Sequence, residues 1–221
     1  MNVPTNFTFG TVGAPIPGTQ VKIAPEPGYP EGEGEICLKG RGVMRGYFNR
    51  PQETAEVLDA DGWFRTGDIG RMEGASVKIT DRKKDLIKTS GGKYIAPQEL
   101  EGKLKARCTL LSQVLVHGEK RNFPTVLVTV APETAESWAK QNQIAWEGYD
   151  AFVQHATVKK AVEDAVNALN AELPQYSKLK KWAILPRDLT VEDGDLTPSM
   201  KVKRKAVEAK YKDVLEGFYA E

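Results

Sequence analysis

Three short stretches of this chain gather residues able to handle an anionic, hydroxylated ligand. In Trp63-Phe64-Arg65-Thr66-Gly67-Asp68 a carboxylate directly follows a glycine. A carboxylate so placed can accept hydrogen bonds from two ribose hydroxyls, and the glycine lets backbone come close. The same residues also read as a surface turn in which Asp68 bonds its own backbone, and spacing alone favours that turn. The second stretch runs Asp81-Arg82-Lys83-Lys84-Asp85-Leu86-Ile87-Lys88 and continues at once into Thr89-Ser90-Gly91-Gly92-Lys93. Glycines after a strand can bring backbone N–H groups against a ligand, and the flanking cations could meet phosphates. The spacing is not that of a GxxxxGK[ST] phosphate loop, and a hairpin turn among solvated charges fits equally well.

The third stretch, Leu196-Thr197-Pro198-Ser199-Met200-Lys201-Val202-Lys203-Arg204-Lys205, is the most informative. It places four cations at the expected start of a last helix from about Val202. Cations at that pole oppose the helix dipole by about 0.3–1 kcal/mol each unless an anion answers them. A phosphate-bearing ligand would resolve the conflict. A solvated basic face or a nuclear-localisation or nucleic-acid patch is the alternative, but the interleaved aromatics of single-strand binding are missing. His117 and His155 are the only histidines and form no triad or HExxH arrangement. His117 is read as structural and His155 as exposed. Cys37 and Cys108 lie far apart without metal-ligand or redox spacing, so no metal site is expected.

The elements that must position these residues fall into two regions. From residue 10 to about 82, strand-like Gln20–Ile23, Gly34–Lys39 and Ser76–Thr80 alternate with turns, and one helix is expected after Pro51. From about residue 84, strands at Val114–His117, Thr125–Val130 and Trp182–Leu185 alternate with helices, two of them starting near Pro97 and Pro132. The clearest helix is expected to be capped by Thr157, with Val158, Ala161, Val162, Ala165, Val166 and Leu169 on one face. A last helix should run from near Val202 through Ala206, Val207, Tyr211, Val214, Leu215 and Phe218. The expected class is α+β: a small antiparallel β subdomain over 1–83, then a compact α/β domain over 84–221.

The chain of 221 residues is 40% hydrophobic, with 31 basic against 30 acidic residues, so any anion site must be local. Neither a secretory leader nor a membrane-crossing run is visible, which gives a cytoplasmic location as the default expectation.

Taken in order, these segments resemble the adenylate-forming superfamily of acyl-CoA synthetases, luciferases and nonribosomal-peptide adenylation domains. The resemblance runs from Gly10-Thr11-Val12-Gly13 and Pro15-Ile16-Pro17-Gly18, through Gly32-Glu33-Gly34-Glu35-Ile36 and Gly46-Tyr47-Phe48, to Gly62–Asp68 and Asp81–Glu101. Ser90–Glu101 and Leu196–Lys201 are most similar to the long-chain fatty acid branch. The resemblance implies ATP, Mg²⁺ and CoA as the reaction's partners: a fatty acid attacks the α-phosphate of ATP, and CoA then displaces AMP. It implies that Asp68 holds the ribose hydroxyls and that Arg82 supports the nucleotide. Lys84 would be the hinge of a mobile lid, Lys201 the catalytic lysine of adenylation, and Lys88, Gly91 and Gly92 would turn inward for thioester formation. Many relatives carry Gly where Met200 precedes that lysine. The family's phosphate loop and Tyr-Gly-Leu-Thr-Glu motif are expected before residue 1, together with the acyl pocket. The chain is therefore expected to need a missing N-terminal domain as partner and to be inactive alone. No nucleic-acid partner is expected, while the lipid substrate suggests peripheral membrane contact of the parent protein. The alternatives are a stand-alone nucleotide- or CoA-binding regulatory module, and a luciferase-like or peptide-synthetase enzyme.

Overall fold

Alternating apolar and polar residues in the first third of the chain build a four-stranded antiparallel sheet. In the computed structural model, which describes residues 1–5 and 7–220, its strands are β1 (Thr19–Ala24), β2 (Gly34–Gly40), β3 (Phe64–Glu73) and β4 (Ser76–Arg82), hydrogen-bonded in that order. Pro51 opens α1 (Pro51–Val57), where its fixed φ and missing N–H cost the helix nothing. A 3-10 turn, Lys83–Asp85, follows β4, and two short strands come next, β5 (Ile87–Lys88) and β6 (Tyr94–Ile95).

The chain divides into two compact units, Met1–Leu86 with Gly92–Ala96, and Ile87–Gly91 with Pro97–Glu221. The second is built on β7 (Leu111–His117), β8 (Thr125–Val130) and β9 (Lys181–Ile184). β8 is the central strand, antiparallel to β7 and parallel to β9, and all six of its residues are buried, as expected of a strand covered on both faces. The parallel step needs a long crossover. It is supplied by α3 (Pro132–Gln141), α4 (Tyr149–Gln154) and α5 (Ala156–Ala171). Before β7, α2 (Pro97–Arg107) lays Leu100 and Leu104 against that strand and packs on α5. After β9 come α6 (Arg204–Lys210) and α7 (Lys212–Gly217). Leu115, Leu127, Leu185, Leu189, Leu196, Val207 and Leu215 form a core cluster joining sheet, loop and final helices. Among the described residues no helix is long and apolar enough to cross a membrane.

The architecture is the mixed α+β one expected, with helices starting at Pro97 and Pro132 as anticipated. Two local expectations fail. Thr157 does not cap α5: His155 does, its Nδ1 accepting from the Thr157 backbone N–H at 3.2 Å. The last helix is two helices, because Tyr211 leaves helical geometry at φ −107°, ψ 27°. It also begins at Arg204, since Val202 is instead bridged to Leu196 as extended backbone.

Candidate functional site

Asp68 does not lie in a surface turn. It is a residue of β3, directly opposite Arg82 of β4, and Arg82 Nε donates to its Oδ1 at 2.7 Å. The cross-strand register, which spacing could not show, is what overturns the turn reading. The preceding residues fix the carboxylate: the Asp68 N–H bonds Thr66 Oγ1, while Thr66 in turn donates to the Ile36 carbonyl. Gly67 has φ +73°, a conformation that favours glycine, and its N–H reaches Glu35 Oε1 at 3.2 Å. Asp68 keeps 24% of its side chain exposed, so an incoming hydroxyl can reach it.

Glu35 organises the strand ends around this pair. Its side chain is 4% exposed and receives Arg65 Nη1 at 3.1 Å and Lys83 Nζ at 3.0 Å. Lys83 also reaches Glu26 at 2.5 Å. Burial lowers the Lys83 pKa, but the hydrogen bonds to Glu26 and Glu35 outweigh it and hold the ammonium above the usual lysine range. Lys84, the next residue of the 3-10 turn, has no carboxylate partner within salt-bridge distance among the described residues. The basic run after β4 is thus one anchored cation followed by one uncommitted cation.

In the second unit, Ile87–Gly91 is stitched to the loop after β7. Lys88 N–H donates to Glu119 Oε2 at 2.8 Å, and the Lys88 carbonyl accepts from Lys120 N–H at 2.8 Å. Ser90 bonds Arg121 through its backbone and Asn122 through its hydroxyl. Gly91 belongs to this unit, whereas Gly92, at φ +76°, belongs to the first.

Lys201 sits in a different setting from the one its sequence neighbours suggested. It follows a tight hairpin: Met200 N–H donates to the Thr197 carbonyl at 2.8 Å, Thr197 N–H to the Lys201 carbonyl at 2.8 Å, and Lys201 N–H to Thr197 Oγ1 at 3.1 Å. Pro198 presets the first turn residue, and Met200 closes the loop at φ +61° in the left-handed region. That is where glycine fits without strain, as the resemblance that puts Gly before this lysine would require. Lys201 is not at a helix start, because α6 is only seven residues long and begins three residues later.

The four-cation cluster is also sorted. Arg204 is structural, donating to Glu101 at 2.7 Å and to the Val116 carbonyl at 2.6 Å. Burial raises the Glu101 pKa, while Arg204 and the Val116 N–H pull it down, leaving it above the usual carboxylate range. Lys201, Lys203 and Lys205 are exposed, and none has a carboxylate within salt-bridge distance among the described residues. His117 pairs with Glu208 at 2.8 Å and is structural, as expected. Sequence reasoning missed Glu35 and Glu119; the signal available for Glu35 was a carboxylate in a strand directly before apolar Ile36 and Cys37.

The carboxylate–arginine pair on β3 and β4, the basic 3-10 turn and the lysine-bearing hairpin thus stand in a chain of mixed α+β architecture. Residues 84–221 match the family model for the AMP-binding enzyme C-terminal domain, and the chain belongs to that family. Its relatives are long-chain fatty acid–CoA ligases. Long-chain-fatty-acid–CoA ligase 1 of Homo sapiens is 37% identical over 229 residues, covering 100% of this chain and 32% of that protein. Long-chain-fatty-acid–CoA ligase FadD15 of Mycobacterium tuberculosis is 38% identical over 216 residues, covering 97% and 34%. The chain therefore spans about a third of the length of the curated relatives it matches. Among solved structures, the A domain of a carboxylic acid reductase from Segniliparus rugosus, in complex with AMP and a co-purified carboxylic acid, has a TM-score of 0.66 at 29% identity. It covers 93% of this chain and 32% of that one.

Proposed function

We propose that this chain is the C-terminal third of an ATP-dependent long-chain fatty acid–CoA ligase. Residues 1–83 close the nucleotide-binding domain and residues 84–221 form the mobile lid. The parent protein converts fatty acid, ATP and CoA into acyl-CoA, AMP and diphosphate in two steps. Asp68 accepts hydrogen bonds from the ribose hydroxyls, with Arg82 supporting the same nucleotide. Lys201 meets the fatty acid carboxylate and the α-phosphate, offsetting the negative charge that accumulates as they react. Lys84 is the hinge, and Lys88, Gly91 and Gly92 serve the thioester-forming state. Mg²⁺ would accompany ATP as its phosphate-bound counter-ion.

The observation that carries this reading is the Lys201 hairpin, a loop fixed by its own backbone hydrogen bonds whose ammonium has no carboxylate within salt-bridge distance among the described residues. The test separates the half-reactions in the full-length protein that carries this chain. Lys201→Ala is expected to slow fatty-acid-dependent ATP–diphosphate exchange by about 10²–10³-fold, the usual loss for one transition-state donor. Thioester formation from supplied acyl-adenylate should stay within twofold of the parent. Equal loss in both steps would refute the assignment. The 221-residue chain alone is expected to release no AMP from ATP, CoA and fatty acid.

A further inference from the structure

The hairpin that carries Lys201 is fixed at its base by a residue that neither the family match nor the sequence motifs single out. Asp195 is 1% exposed, yet it is a carboxylate. Both of its oxygens are engaged: Arg187 Nη2 lies 2.9 Å from Oδ2, and Lys210 Nζ lies 3.1 Å from Oδ1. Its backbone is committed as well, since its N–H donates to the Thr190 carbonyl and its carbonyl accepts from Lys203 N–H at 2.7 Å. The next residue, Leu196, is fully buried in the core cluster and bridges to Val202. One residue therefore joins the chain leaving β9, the start of the final helices and both arms of the hairpin.

We propose that Asp195 is the positioning residue for Lys201. It holds the hairpin base so that the ammonium is presented at one place when the lid closes. This rests on the assignment of Lys201 to acyl-adenylate formation. A buried carboxylate between two cations could serve stability alone, because such pairs are costly to break. The positioning role predicts something more: the two arms of the hairpin lose their register when the carboxylate loses its charge, and only the half-reaction that uses Lys201 suffers.

Asp195→Asn keeps the side-chain volume and removes the charge, and Arg187 and Lys210 are each more than a third exposed, so they can turn to water. In the full-length protein the variant is expected to lower kcat for ATP–diphosphate exchange at least tenfold. KM for ATP and thioester formation from supplied acyl-adenylate should remain within twofold. Hydrogen exchange at the Lys201 and Lys203 amides of the 221-residue chain should quicken at least tenfold, while the β8 amides keep their protection. Asp195→Asn added to Lys201→Ala should slow ATP–diphosphate exchange no further. Lys210→Met leaves Arg187 on the carboxylate and should show the same pattern at smaller size if the asparagine variant does not fold. Equal loss of both half-reactions, or intact exchange kcat with Lys201→Ala inactive, would overturn the positioning role while sparing the Lys201 assignment. Lys201→Ala with unimpaired adenylation would overturn the assignment and the inference together.

Discussion

Met200 offers a test of the hairpin geometry in which the sign of the effect is the result. At φ +61° an L-residue is disfavoured by roughly 1–2 kcal/mol relative to right-handed backbone. Comparing Met200→Gly with Met200→Ala removes the side chain in both variants, so its contacts cancel. What differs is the left-handed strain, which alanine keeps and glycine sheds, against the extra unfolded-chain entropy of glycine, about 0.4–1 kcal/mol. The glycine variant should therefore be the more stable by about 0.5–1 kcal/mol. At a right-handed position the order is the reverse. For a domain of this size the gap corresponds to roughly 1–4 °C in Tm. Urea unfolding of both variants at a common slope gives the difference directly. Because Met200 is 61% exposed, neither substitution threatens the fold. An alanine variant more stable than the glycine one would mean that position 200 is not left-handed, and the hairpin that presents Lys201 would have to be redrawn.

Other perturbations test the core of the second unit and the 3-10 turn after β4. Tyr149 donates to the Val130 carbonyl and accepts from the Val130 N–H, and burial pushes its pKa up to about 12. Its contribution is complete below pH 10 and disappears as the pH rises to about 12, so Tyr149→Phe should cost about 1 kcal/mol at neutral pH and flatten the alkaline fall in Tm. An unchanged alkaline slope would contradict this. Glu101 is also raised by burial, so the folded state holds its proton more tightly than the unfolded chain does, and stability is lost as pH rises through that raised value. Thermal melts from pH 4 to 8 should accordingly show Glu101→Gln gaining on the parent as pH rises; a gain on acidification would reverse the assignment. Lys84→Pro in the full-length protein should impair one half-reaction far more than the other by holding one lid orientation, and unchanged rates in both would count against the hinge.

Six strands, and the helices that start at proline, were legible because period-two alternation and fixed proline φ are local properties, whereas β3, with glycines at 67 and 70 and charges at 65, 68, 71 and 73, shows no such alternation and was read at Asp68 as a turn. What was not legible depended on partners distant in sequence. Arg204 looked like one cation among four, and its carboxylate lies 103 residues away in α2. Lys83 looked solvated beside Lys84, and Glu35, which anchors it, lies 48 residues earlier. The last helix was misread for a different reason. Val202 continues the apolar spacing of Val207, Tyr211 and Leu215, yet its apolar face is met by Leu196 across a hairpin, so helical and extended readings both bury it. Pro198 was the local sign of a turn in that segment, and the positive φ at Met200 could not be read from a methionine.

The correction changes the physical basis of the proposed lysine chemistry without moving the residue. At a helix N-terminus, partial charges from unpaired N–H groups would share the work of attracting an anion. A hairpin contributes no such dipole, so the attraction must come from the ammonium groups themselves. Extended backbone then sets which cations act together: Val202 is bridged inward, and its neighbours Lys201 and Lys203 both stand exposed on the side away from the core. Arg204, the following residue, is drawn into the Glu101 pair and lost to the ligand. The basic cluster is therefore an alternating one, in which every second position is available and the rest hold the fold, and its capacity for anions is two or three charges rather than four.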